Sequence, residues 1–197
     1  MNNQHLFELI NAGPGLGPFK LMLALLVARW LVYLVAAALA LAWVRGDASA
    51  RRELVQMLFA AGLALLISQI VSHVWPQPRP LALHLGTQYL DHANDPGLPS
   101  DHATLLWSLG LSALGTRRFG IWAFPLLTLG LVAGVGRVYL GVHFPYDVLA
   151  ALPVALAGAC VAHALSRPAR PLVERILCLY DRLAQAARAL LGRAHKA

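Results

Sequence analysis

Five stretches of this chain, at about residues 19–44, 54–75, 99–115, 119–138 and 146–166, are apolar over most of their length, and Pro, Gly or charge ends each one. A bilayer core takes about 20 mainly apolar residues to cross as a helix. The repeated run length therefore predicts an all-α, polytopic membrane helical bundle with about five transmembrane helices. Composition agrees: 58% of the 197 residues are hydrophobic and only 13% are charged, against about 25% charged in ordinary soluble domains. The mean hydropathy is +0.61, and a single compact bundle is expected.

Short interfacial helices are expected outside the spans. Residues 1–18 read as an N-terminal interfacial segment, 19–166 as the membrane domain and 167–197 as a basic tail. The N-terminus lacks the basic region of a cleavable leader, and the first apolar run is too long for one, so this run is expected to stay in place. The tail places Leu172, Ile176, Leu179, Leu183, Ala187 and Leu190 at three-to-four spacing with arginines between them. That pattern predicts a basic amphipathic helix lying on an anionic inner leaflet. Cys160 and Cys178 suggest no disulfide framework and read as reduced and structural.

Basic residues orient the bundle. Of 16 Lys and Arg, twelve fall in the 45–53 loop, the 117–118 hairpin and the tail, which five spans put on one face. The positive-inside rule makes that face cytoplasmic. The net charge of +7 is thus a membrane signature, and with no groove-binding motif or stacking platform a nucleic-acid partner is not expected.

Arg79 and Arg137 fall on the opposite face, where topology gives them no purpose. Three polar patches meet there: His73 to Leu81, Gly97 to Leu106, and "GRVYLGVHFPYDVL" at 136–149. Ionisable groups at a membrane edge are functional candidates by default. Ser100 suits a helix N-cap before an apolar run, and a helix start attracts anions. Asp101 beside it must turn away or pair with an arginine. Arg79 and Arg137 carry planar forks suited to phosphate oxygens. His143 and Asp147 stand four apart, so the carboxylate can hold the imidazole N–H and leave the other nitrogen as nucleophile or base. His102 would supply the complementary acid.

Each residue alone also fits a plainer part: Arg137 as a snorkelling side chain, Ser100 as a cap only, Asp147 as a dipole complement. Gly130, Gly134 and Gly136 in the fourth run read as close-packing positions. A metal site from His73, His84, His92, Asp91 and Asp95 matches no compact ligand spacing, and no metal is expected. A serine-protease reading with Ser100 as nucleophile lacks a G-x-S-x-G elbow.

Arg79-Pro80, Pro99-Ser100-Asp101-His102, and Arg137, His143 and Asp147 in R-x5-H-x3-D spacing resemble the tripartite signature of the type-2 phosphatidic acid phosphatase superfamily. The resemblance covers about residues 50 to 166, and "PRP", "LPSDHAT" and "RVYLGVHFPYDVL" are most similar to the bacterial undecaprenyl pyrophosphate phosphatases of the BcrC type. It departs at three positions. Ser72 stands where the family carries a lysine, so Ser72 or the neighbouring His73 is an auxiliary candidate; Asp101 replaces a glycine, as is familiar in the BcrC-type group; Gly136 replaces a serine.

The resemblance implies a cofactor-free, metal-independent hydrolase in the bacterial cytoplasmic membrane, with its site facing the exterior. His143 would form a phosphohistidine, Asp147 orient it, and His102 protonate the leaving oxygen and then activate water. Arg79, Arg137 and Ser100 would hold the phosphate. The implied partner is a lipid phosphate, undecaprenyl pyrophosphate first. Phosphatidylglycerol phosphate, phosphatidate, lipid A 1-phosphate, a phosphotransferase and a non-catalytic lipid binder or transporter remain open, and the oligomeric state is not addressed.

Overall fold

The structure, a computed structural model, describes residues 2–93 and 95–194, with side chains to residue 186. Among the described residues all regular structure is helical, the arrangement in which a membrane segment satisfies its own backbone polar groups. A short helix α1 (Asn3–Ile10) precedes the first long one. That long helix comprises α2 (Pro18–Leu25), a π-helical turn (Leu26–Trp30) and α3 (Leu31–Arg45). Then follow α4 (Ala48–Val74), α5 (Asp101–Ala113), α6 (Ala123–Tyr139) and α7 (Pro145–Ala194).

Four helical stretches, Pro18–Arg45, Ala48–Val74, Gly120–Tyr139 and Pro145–Ala186, are long and apolar enough to cross a bilayer, and the protein is a multi-pass membrane protein. The expected third span is the shorter α5, with 13 residues and so about 20 Å long. It lies at the centre, where Ala103, Leu106 and Leu109 are almost fully buried. Its N-terminus is consequently set among the other helices, which brings Asp101 and His102 to the site.

Small residues let the helices close on one another. A Cβ on Gly136 would meet Val27 and Ala28 at 3.0 and 3.4 Å, and one on Gly158 would meet Ala64 at 2.6 Å. The packing reading of Gly136 holds, and it sets α6 against the π-helical turn. Outside the helices, the long connection after α4 forms one described 3₁₀ turn, Leu81–Leu83. The N-terminal segment also packs on the site end. Asn11 Nδ2 donates to the carbonyls of Thr87 and Tyr139 at 3.0 and 3.1 Å, and its Oδ1 accepts the Thr87 N–H at 2.8 Å. Phe7 is fully buried, with its ring edge-on to Phe144 at 5.3 Å.

The basic regions do gather at one end. Arg118 pairs with Asp47, and Arg51 bonds Asp181 at 2.8 Å and the Trp43 carbonyl at 3.1 Å. The tail departs from expectation in two ways. It continues the fifth span without a break, since α7 runs through Pro153, Pro168 and Pro171. It also docks on the protein rather than only on a leaflet: Leu177 is buried and Tyr180 stacks edge-on against Trp43 at 5.3 Å. Leu172, Ile176, Leu179 and Leu183 stay exposed on its other side, and Ala187 and Leu190 lie outside the residues whose side chains are described. Cys160 and Cys178 are both free, and both are exposed.

Candidate active site

The three polar patches meet at one end of the bundle. A cavity of about 90 Å³ is lined there by Arg79, Arg137, His102 and His143, with Gln69 and Ser72 from α4 and Pro99 and Asp101 from the start of α5. The long connection closes it with His92, Asp95 and Pro96. By volume it holds about three waters, the scale of one phosphoryl group.

His143 and Asp147 are each 2% exposed. Pro145 starts α7, where its ring presets the helical φ at the first residue and no N–H is needed. His143 is thereby left just outside the helix, while Asp147 sits in its first turn. The Asp147 Oδ2 accepts the Phe144 N–H at 2.8 Å and faces His143 Nδ1 at 3.3 Å. A carboxylate only accepts, so Nδ1 carries the hydrogen and Nε2 keeps its lone pair. Burial, then the charges of Arg137 and Arg79, push the His143 imidazole well below the usual histidine pKa. It therefore stands neutral, as a nitrogen nucleophile must.

Arg79 is clamped from several sides. Its Nε donates to the Asp95 backbone carbonyl at 3.0 Å and to Oδ1 at 3.1 Å, and Nη1 donates to the Val142 carbonyl at 3.1 Å. Nη1 also lies 3.2 Å from His143 Nε2 and 3.3 Å from Nδ1, so the guanidinium rests against the imidazole. Arg137 donates through Nη1 to the Ala28 carbonyl and approaches His102 Nε2, both at 3.3 Å. That carbonyl belongs to the π-helical turn, a distortion frequent at functional sites. Among the described residues Arg137 Nε is buried with no partner, as are Ser100 Oγ and Thr104 Oγ1.

Asp101 turns away from the cations. Its carboxylate accepts Ser68 Oγ at 2.7 Å and Gln69 Nε2 at 3.2 Å, which ties α5 to α4. One expectation needs correction, and a second holds in position only. His73 is exposed and absent from the cavity wall, whereas Ser72 lines it, because neighbours on a helix point about 100° apart. Ser100 occupies the N-cap position without a side-chain capping bond, and its own N–H donates to the Asp147 carbonyl at 3.0 Å. Among the described residues no three His, Cys, Asp or Glu side chains converge as a metal-ligand group, so His73, His84, His92, Asp91 and Asp95 do not form one. The residues missed from sequence are Gln69, His92, Asp95 and the Ala28 carbonyl. His92 and Asp95 were noted only for their ligand chemistry.

A buried histidine oriented by a carboxylate, two fixed guanidinium groups and a second histidine around a phosphoryl-sized cavity make a membrane-embedded phosphatase site. The chain belongs to the PAP2 superfamily, whose description matches residues 53–171. It is 34% identical over 157 residues to YbjG of Escherichia coli (strain K12), covering 79% of this chain and 78% of that one. It is 30% identical over 139 residues to the undecaprenyl-diphosphatase BcrC of Bacillus subtilis (strain 168), covering 71% of each. Among solved structures, Aquifex aeolicus LpxE matches with a TM-score of 0.65 at 20% identity, over 81% of this chain and 93% of that one. The PAP2-type phosphatidylglycerolphosphate phosphatase of Bacillus subtilis matches at 0.61 and 15% identity, over 84% and 85%. The protein is a membrane lipid phosphatase of this superfamily.

Proposed function

We propose that the protein hydrolyses undecaprenyl diphosphate to undecaprenyl phosphate, releasing inorganic phosphate through a phosphohistidine on His143. The observation that carries this reading is the pairing of a neutral, Asp147-held His143 with buried donors that have no acceptor among the described residues, Arg137 Nε and Ser100 Oγ. Buried donors are normally satisfied, and a phosphate entering the cavity brings the acceptor oxygens they lack. The relatives' chemistry supports the choice of substrate, since BcrC is an undecaprenyl-diphosphatase.

In the proposed sequence, the terminal phosphate draws Arg79 off His143 Nε2 and onto its own oxygens. His102 takes up a proton with the entering phosphate dianion, whose charge offsets Arg79 and Arg137; Nε2 attacks phosphorus, the bridging P–O bond breaks, and the leaving lipid phosphate takes that proton from His102. Water then attacks the phosphohistidine, His102 accepts its proton, and phosphate leaves. Asp147 stabilises the positive imidazole that forms, while Arg79 and Arg137 hold the equatorial oxygens, where most phosphoryl-transfer catalysis lies.

The lipid tail has a place beneath. An apolar cleft of about 420 Å³ runs between α3 and α4, with Val35, Leu39, Leu54 and Leu58 on its walls and Leu105 and Leu109 as its floor. Leu105 and Leu109 follow His102 by about one and two helical turns, so the cleft leads toward the phosphoryl cavity. The proposed setting is a bacterial cytoplasmic membrane, with the Arg45, Arg51, Arg117 and Arg118 end inside and the site outside.

The test is phosphate release by purified protein, without divalent metal, from undecaprenyl diphosphate, phosphatidylglycerol phosphate, phosphatidate and lipid A 1-phosphate. The reading expects the highest kcat/KM on the diphosphate and none in His143→Gln. Preference for one of the other three lipids overturns the substrate, and activity in His143→Gln overturns the mechanism.

A further inference from the structure

The long connection after α4 brings a second histidine–carboxylate pair to the cavity, opposite the first. His92 Nδ1 lies 3.3 Å from Asp95 Oδ1 and 3.2 Å from the Ala93 carbonyl. Both neighbours are acceptors, so Nδ1 carries the hydrogen. Nε2 has no partner among the described residues and is left for a ligand. The ring centroids of His92 and His143 stand 6.3 Å apart, with the cavity lined by both. Asp95 Oδ1 is also 3.1 Å from Arg79 Nη2, so one carboxylate positions a fixed cation and a titratable one.

We propose that His92, held by Asp95, is a further substrate-contacting residue that takes up a proton as the phosphate enters and donates from Nε2 to a phosphoryl oxygen. This rests on the phosphatase reading above and names an added group in that site. Gln69 and Ser72 from α4 are neutral there, so His92 can add a titratable positive charge on the side opposite His143, beside that of His102. Its surroundings favour such a response. Burial first, then Arg79 and to a lesser degree Arg137, lower its proton affinity, while Asp95 raises it. His102 and His143 face the same space, and the Asp101 carboxylate on that wall is already engaged by Ser68 and Gln69. A bound dianion offsets the two arginines, so His92 protonates as the anion binds. Anion binding then tightens as pH falls.

The experiment measures competitive inhibition by inorganic sulfate, which stays dianionic through neutral pH, together with kcat/KM, in wild type, His92→Gln and His92→Ala. Wild-type turnover and its loss in His143→Gln are established first, so failure of the phosphatase reading shows separately. A coupled proton is worth about tenfold in affinity per pH unit. The wild-type inhibition constant is expected to fall more steeply than that of His92→Gln between about pH 5.5 and 7.5, the range of an ordinary histidine, by up to that factor. Loss of one oriented donor lowers rates by about 100-fold or more when fully buried; with the His92 side chain 27% exposed, a fall of about tenfold in kcat/KM is expected for both variants. A merely structural role would lower kcat/KM while leaving the pH slope of sulfate inhibition unchanged. An unchanged slope, or wild-type kcat/KM in both variants, overturns the proposal.

Discussion

Asp147→Asn removes one charge and almost no volume from the centre of the site. In the wild type, Asp147 Oδ2 is 3.3 Å from His143 Nδ1, and both side chains are 3% exposed, so water screens the pair little. Proton transfer is not required of Asp147; it stabilises the positive charge that appears on the imidazole as Nε2 bonds to phosphorus. With an effective dielectric constant of about 20, unit charges at that distance attract by about 5 kcal/mol. At 1.36 kcal/mol per decade, that is roughly a 10³- to 10⁴-fold rate effect. The one oxygen Oδ2 accepts the Phe144 N–H and faces Nδ1, so an asparagine amide oxygen in its place keeps both contacts and the tautomer but carries no charge. The lost charge lowers kcat and leaves KM nearly unchanged. The assay is steady-state phosphate release by purified protein in detergent, with thermal unfolding measured alongside. A loss below about tenfold with intact folding would refute the assignment of Asp147 as the partner of a developing imidazolium.

Three other outcomes follow from the same geometry. Gly97→Ala puts a Cβ 3.0 Å from Asp147 Oδ2 and 3.2 Å from Arg79 Cγ, so both side chains must shift slightly; kcat should fall, by less than the roughly 100-fold that a full ångström costs, in a protein that still inserts and folds. Phe7→Ala removes a fully buried ring that packs on Phe144, and should cost about 3 kcal/mol of stability, read as a lower Tm in detergent. Because burial, Arg137 and Arg79 lower the pKa of His143 from 6.5, the nucleophile gains its proton only at lower pH. The acid limb of kcat/KM against pH should therefore lie well below 6.5 rather than at it, and a limb at the ordinary histidine value would contradict the buried, arginine-flanked setting.

How much of this was legible in the sequence differs from residue to residue. Apolar run length determined the helices well, because a bilayer leaves a backbone few alternatives. His143 and Asp147 could be paired from spacing alone, since positions i and i+4 share a helix face. Other features depend on three-dimensional packing. Pro168 and Pro171 look like a stop after the fifth run, yet α7 continues through them while Arg51 and Trp43 meet Asp181 and Tyr180 on its far part. Ser72 and His73 could not be ranked from sequence alone as replacements for the family lysine, and helix phase puts the neutral Ser72 on the cavity and His73 outside it. The Ala28 carbonyl that holds Arg137 has no side-chain signature, because a π-helical turn supplies it. His92 comes from an irregular connection, where no periodicity tells which residues face inward.

The central claim is that His143 carries the phosphoryl group. Its most direct measurement is radiolabel transfer from undecaprenyl diphosphate labelled in the terminal phosphate, with an alkaline quench and mapping of the labelled residue. Label is expected on the His143 imidazole, more of it in His102→Ala, where water is no longer activated to release phosphate, and none in His143→Gln. Label on another residue, or steady turnover by His143→Gln, would contradict it.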